Sequence, residues 1–216
     1  MFQPWGKRDM KCFLTVMAVS ALALVGCSTP SAPEYNPRPA YETGVSHGWD
    51  MFVDRNYALA ATEFRNALDL DAARSWPEAY IGLGWGLAMQ DSLTKAVNNF
   101  SSALARTPQS AQDSANVYAG LSLGYRDISP VNFTLVRDYA LQALGISPQY
   151  VFQYRTAINS DDLRAVLAEA YFNLEQYDLA AGIADPAGSL DPADANYLTD
   201  LLTKISTLLT LSREGE

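Results

Sequence analysis

The chain has 216 residues, 15 Lys and Arg against 24 Asp and Glu, a formal net charge of −9 and 49% hydrophobic residues. That length suits one main domain with a sizeable apolar core. The acidic balance argues against binding nucleic acid or anionic headgroups through general electrostatics. Two cysteines and one histidine leave little for a disulfide framework or a zinc site.

Lys7, Arg8 and Lys11 precede an uncharged stretch from Cys12 to Val25. A basic start, a short apolar middle and small residues at the end read as a secretory signal. The stretch falls short of the ~20 apolar residues of a membrane span. It ends in Leu24-Val25-Gly26-Cys27, which resembles a bacterial lipobox. The resemblance implies that residues 1–26 are a cleaved signal and that Cys27 becomes a lipidated first residue. Met10-Lys11 would also supply a start with a short basic region. Residues 1–26 carry three basic residues and one acidic residue, so the remainder has a charge of −11 and no free thiol. Residues 27–40 follow as a lipidated tether. Pro30, Pro33, Pro37 and Pro39 favour extended, polyproline-like backbone there.

Residues 41–216 form the predicted folded domain, and they read as helix after helix. Ala60, Phe64 and Ala67 repeat a four–three spacing that returns at Ala96, Phe100 and Ala103, and at Val136, Ala140 and Ala143. Ala180 and Ala184 begin it again. Twelve residues before each set sits a small residue: Gly48, Gly84, Gly124 or Ala168. Small residues at these points let two helices approach closely. Tyr57, Leu93, Phe133 and Tyr177 open the second helix of each pair. Pro108, Pro148 and Pro192 end the later pairs, with Ala72 at the corresponding place in the first. Ser75-Trp76-Pro77-Glu78 and Ser129-Pro130 predict helix starts, Asp91 and Ser92 offer a cap, and Ser160-Asp161-Asp162 opens another helix. Pro186 cuts the last second helix short. From Asp194 to about Arg213, Leu198, Leu201, Leu202, Ile205, Leu208 and Leu209 make one apolar stripe, a closing amphipathic helix.

These marks resemble the tetratricopeptide repeat, a helix–turn–helix unit of 34 residues. The offsets between the four copies are 36, 40 and 44 residues, so the second and third connections carry insertions. The resemblance implies an all-α fold: a right-handed α-solenoid of stacked hairpins with a C-terminal capping helix.

No catalytic constellation stands out, so no enzyme, cofactor or metal is expected. His47 falls on a helix where other copies have Leu83, Leu123 and Leu167, and reads as partly buried or near a helix end. Gly82-Leu83-Gly84-Trp85-Gly86 lies within a helix with no preceding strand, so it reads as close helix packing rather than a phosphate loop. The alternative is an enzyme or small-ligand module whose residues meet only in three dimensions.

The repeat resemblance implies that the first helices line a concave groove, and that Trp49, Trp85, Tyr125 and Glu169 point into it. Further groove positions carry Glu42, Glu78, Tyr118 and Asp162. Trp49, Trp85 and Tyr125 would form an aromatic ladder with acidic neighbours. Two readings stay open: a recognition surface, since aromatic anchors dominate interface energies, or rings packed as core. The groove lacks the Lys and Asn residues of the carboxylate-clamp subclass. In the third connection, Gln149-Tyr150-Val151-Phe152-Gln153-Tyr154-Arg155 carries three aromatics, which either fold back on neighbouring helices or contact a partner. The expected function is that of a scaffold. It would be lipid-anchored at the periplasmic face of the outer membrane and would bind a neutral or basic envelope protein or peptide. Outer-membrane, secretin or pilus, and cell-wall assembly all fit. A structural spacer is a further reading.

Overall fold

The computed structural model describes residues 35–106 and 110–214, so the expected signal and most of the tether lie outside the described residues. Chain contacts divide the molecule after Asn36, and the helices belong to the unit from Pro37 onward. Among the described residues there are nine helices: α1 (Arg38–Val53), α2 (Tyr57–Leu70), α3 (Glu78–Ala88), α4 (Leu93–Leu104), α5 (Ala111–Asp127), α6 (Phe133–Ile146), α7 (Ser160–Asn173), α8 (Tyr177–Ala184) and α9 (Tyr197–Glu214). Each helix packs on the next up to α8. The odd-numbered helices α1, α3, α5 and α7 also pack on one another, and α9 lies against α7 and α8. Four antiparallel hairpins thus stack in register, with the first helices forming one layer.

The repeat signature has a direct packing reason. The Phe64 ring sits between the backbones of α1 and α3 at Gly48 and Gly82, and Phe100 sits likewise between Gly84 and Gly120. A Cβ at Gly48 would lie 2.5 Å from the Phe64 ring, and one at Gly84 would lie 2.6 Å from the Phe100 ring. Each phenylalanine locks its own hairpin to the next. In the third hairpin Ala140 replaces the ring, so this lock is missing there. Every residue of α3 from Ile81 to Leu87 is buried. The glycine-rich run is therefore a helix enclosed on all sides, as close packing requires.

Several local expectations shift. α1 begins at Arg38, ahead of Tyr41, because proline is tolerated in a first turn that needs no amide donor. Pro37 and Pro39 therefore start a helix instead of extending the tether. α6 starts at Phe133, where Asn132 accepts from the Leu135 amide; Ser129 plays no part in that cap. Ser92 occupies the cap position of α4 without a side-chain bond. α7 has a full capping box: Asn159 accepts from the amide of Asp161 at 2.8 Å, and the Asp162 carboxylate accepts from the Asn159 amide at 2.7 Å. Of the α9 stripe, Leu201 and Ile205 are fully buried, whereas Leu198 and Leu202 are exposed. The apolar seam is narrower than the sequence suggests because α9 meets only α7 and α8. His47 is exposed on α1.

The α8–α9 connection is tied down by Asp185. Its carboxylate accepts from Lys204 Nζ at 2.9 Å, from the Leu190 amide at 2.7 Å and from Ser189 Oγ at 2.8 Å. The Lys204 bond, helped by the Leu190 amide, holds this carboxyl down at about 2.

Candidate functional site: a filled groove with an acidic mouth

The layer of first helices presents Trp49 from α1 and Trp85 from α3, as the repeat register requires. Both rings are covered. The segment between α6 and α7, residues 147–159, crosses the layer and packs its aromatics onto them. Tyr154 stacks flat on Trp49, with centroids 3.8 Å apart and planes 2° off parallel. Phe152 stacks on Trp85 at 4.3 Å and meets Trp49 and Phe52 edge-on at 5.9 and 5.8 Å. Phe152 and Tyr150 are fully buried, and Trp85 is 2% exposed. The Tyr150 hydroxyl donates to Asn116 Oδ1 on α5 at 3.1 Å. Burial, with the Asp162 charge second, pushes the Tyr150 phenol up. Arg155 reaches furthest, donating to the Tyr57 hydroxyl at 3.0 Å and to Met89 Sδ at 3.2 Å. The buried indole N–H of Trp85 finds no acceptor.

Tyr125 is not part of this assembly. It stacks on Tyr139 of α6 at 5.8 Å, and Tyr118 stacks on the same ring at 6.1 Å. This separate tyrosine stack is half-buried. Burial, then the neighbouring Tyr125 and Tyr118, raises the Tyr139 phenol. The three rings of the expected ladder therefore split, with two beneath the loop and one against α6. Glu169 points to its neighbour on α5, where Arg126 binds it at 2.8 and 3.4 Å. Burial works against the Arg126 charge, but Glu169 and Asp127 outweigh it, and the guanidinium is held more firmly protonated. Asp162 serves the α7 capping box. It also lines a pocket of about 160 Å³ with Trp85, Met89, Arg126, Val166 and Leu209.

Two of the acidic positions, Glu42 and Glu78, lie at the mouth of the groove. Glu42 and Glu78 share Arg38, at 2.6 and 2.7 Å, and Glu78 also accepts from the Tyr41 hydroxyl at 3.2 Å. Glu42, Glu78, Asp50 and Asp113 border a depression of about 340 Å³ whose wall includes Trp49 and Tyr154. Burial raises the Tyr154 phenol against an opposing hydrogen bond with Gln153, and the charges of Asp113 and Asp50 add to the rise. Asp50 and Asp113 were not singled out by the sequence reading. Their helical positions give a signal only once the loop has brought Tyr154 between them. Among the described residues, no group of three or more His, Cys, Asp or Glu side chains could hold a metal ion. No described helix is long and apolar enough to cross a membrane.

A chain of the APC/C hetero-tetramer Cut9–Hcn1 superposes on 76% of this chain with a TM-score of 0.55 at 18% identity. The fold is a tetratricopeptide-type α-solenoid. The superposition spans only 29% of the length of that other chain. Pseudomonas aeruginosa pilF aligns over 82% of this chain and 93% of its own, at 14% identity and a TM-score of 0.38. TTC0263, a thermophilic TPR protein of Thermus thermophilus, aligns over 79% and 99%, at 19% identity and a TM-score of 0.40. No protein-family model matches the sequence, and no curated protein does.

Proposed function

We propose that this chain is a lipid-anchored scaffold of the periplasmic face of the outer membrane that holds another envelope protein. The acidic mouth carries the reading. Four carboxylates, two of them sharing Arg38, border the depression whose wall includes Trp49 and the half-buried Tyr154 stacked on it. Such a surface suits a neutral or basic segment: rings provide anchoring area and carboxylates steer approach and set register. The anchor is inferred from Leu24-Val25-Gly26-Cys27, and Ser28 lacks the aspartate that retains such proteins at the inner membrane. Secretin or pilus, outer-membrane and cell-wall assembly are the settings this reading favours.

The test is site-specific cross-linking in intact envelopes from a photoreactive residue at Asp50, which is exposed on α1. The scaffold reading expects one dominant adduct whose yield falls with rising salt and after Asp113→Lys. No adduct, or one indifferent to salt and charge reversal, would contradict it. Mass spectrometry of the mature N-terminus tests the anchor separately. A diacylglyceryl-modified Cys27 is expected, and cleavage elsewhere without modification would refute that part.

A further inference from the structure

Trp85 carries a polar atom that the fold leaves unused. Phe152 stacks on its ring at 4.3 Å, and Phe100 packs across it at 5.4 Å with the planes 73° apart. The residue is 2% exposed, and its indole N–H meets no acceptor among the described residues. A buried donor without a partner is costly, which is why folded chains carry so few of them. The same indole lines a cavity of about 160 Å³. Met89, Leu93, Leu123, Ile158, Val166 and Leu209 give that cavity apolar walls. Its charged groups are already engaged. Arg126 is held by Glu169 at 2.8 Å and by Asp127 at 2.9 Å, and Asp162 accepts from the Asn159 amide at 2.7 Å. Three carboxylates against one guanidinium disfavour an anionic occupant. The cavity shares no lining residue with the acidic mouth.

An apolar cavity of about 150 Å³ is large enough to take up a benzene-sized molecule. The cavity beside Trp85 is of that size and adds one unmet donor. We propose that it binds a small neutral molecule: a single ring bearing a carbonyl or ether oxygen that accepts from the Trp85 indole N–H. The ring fills the space between the apolar side chains, and the oxygen supplies the acceptor that the protein does not. The walls come from α3, α4, α5, α7, α9 and the 147–159 segment, so the site exists only in the folded stack and an occupant stabilises it.

The experiment titrates the unaltered full chain, nitrogen-labelled for magnetic resonance, with three probes of matched shape. These are acetophenone, α-methylstyrene, in which a methylene group replaces the oxygen, and benzoate, which carries a charge. Acetophenone is expected to move the assigned Trp85 indole proton downfield in a saturable way and to leave those of Trp49 and Trp76 in place. It should bind about tenfold more tightly than α-methylstyrene, the worth of one hydrogen bond to a buried donor. Benzoate should not compete with it. Trp85→Phe should erase the preference for acetophenone, and Ala88→Leu, which fills the cavity, should abolish binding. Should either variant fail to fold, the titrations of the unaltered chain decide. No shift at the solubility limit of acetophenone overturns the proposal. Equal affinity for α-methylstyrene, or equal shifts at every tryptophan, overturns it too. So does a water cross-peak at the Trp85 indole proton that acetophenone does not displace, which would assign the cavity to bound water.

Discussion

Phe152→Ala is the sharpest probe of the loop's energetic role. Phe152 is fully buried and touches four aromatic rings from three parts of the chain: Trp49, Phe52, Trp85 and Tyr154. Truncating a buried phenylalanine to alanine costs about 3–5 kcal/mol through lost transfer energy and the cavity left behind. Four ring contacts favour the upper half, since each aromatic pair adds about 0.5–1.5 kcal/mol beyond area. A domain of this size loses about 2–4 °C of Tm per kcal/mol, so the upper half of that range lowers the melt by about 8–20 °C. Urea unfolding followed by circular dichroism gives the free energy. Tryptophan emission should shift to the red as Trp85 and Trp49 lose their cover. Gln153→Ala, one residue away and exposed, should stay within about 0.5 kcal/mol of the parent. A Phe152→Ala cost below about 1 kcal/mol, with unchanged emission, would show that the loop does not pack in the groove.

Three further outcomes follow from the packing. Gly84→Ala should cost about 1–3 kcal/mol, because its Cβ would meet the fixed Phe100 ring at 2.6 Å; an unchanged urea midpoint would refute the interlock. Asp185→Asn should destabilise most at neutral pH. The Asp185 carboxyl sits near 2 when folded against an ordinary value of 3.8, so its contribution is fully present above about pH 4 and is lost as pH falls toward 2. The stability gap between the parent and Asp185→Asn should therefore narrow over that window, and a constant gap would contradict the assignment. Deleting residues 194–216 removes α9 and exposes Ala168 and Ala180, so the shortened chain should aggregate; a monomeric product with the parent Tm would show that α9 is not a cap.

The hairpins were readable because their signals are local. Ala60, Phe64 and Ala67 recur at fixed spacing, and the small residue each ring needs lies at Gly48 or Gly84, within the same hairpin. Pro186 likewise marked the short α8 from the chain itself. The groove was harder to read. Trp49 and Trp85 could be assigned to the first-helix layer, but their cover comes from the third connection, and Arg155 pairs with a tyrosine 98 residues earlier. Periodicity within one repeat carries no information about such a contact. Tyr125 left the ladder for a comparable reason, since its stacking partner is Tyr139 on α6. The α1 boundary was missed because Pro39 reads as a breaker in an extended tether and as a permitted residue in a first turn. Asp50 and Asp113 became site residues only through the loop that sets Tyr154 between them.

The central claim is that the chain fills its own groove through Tyr154 on Trp49 and Phe152 on Trp85. Nuclear Overhauser contacts between assigned ring protons in the unaltered protein test it most directly. Strong cross-peaks for both pairs and upfield shifts of the stacked rings are expected, given centroid separations of 3.8 and 4.3 Å. Tyr154 and Phe152 resonances at random-coil positions, with no cross-peak to either tryptophan, would contradict it.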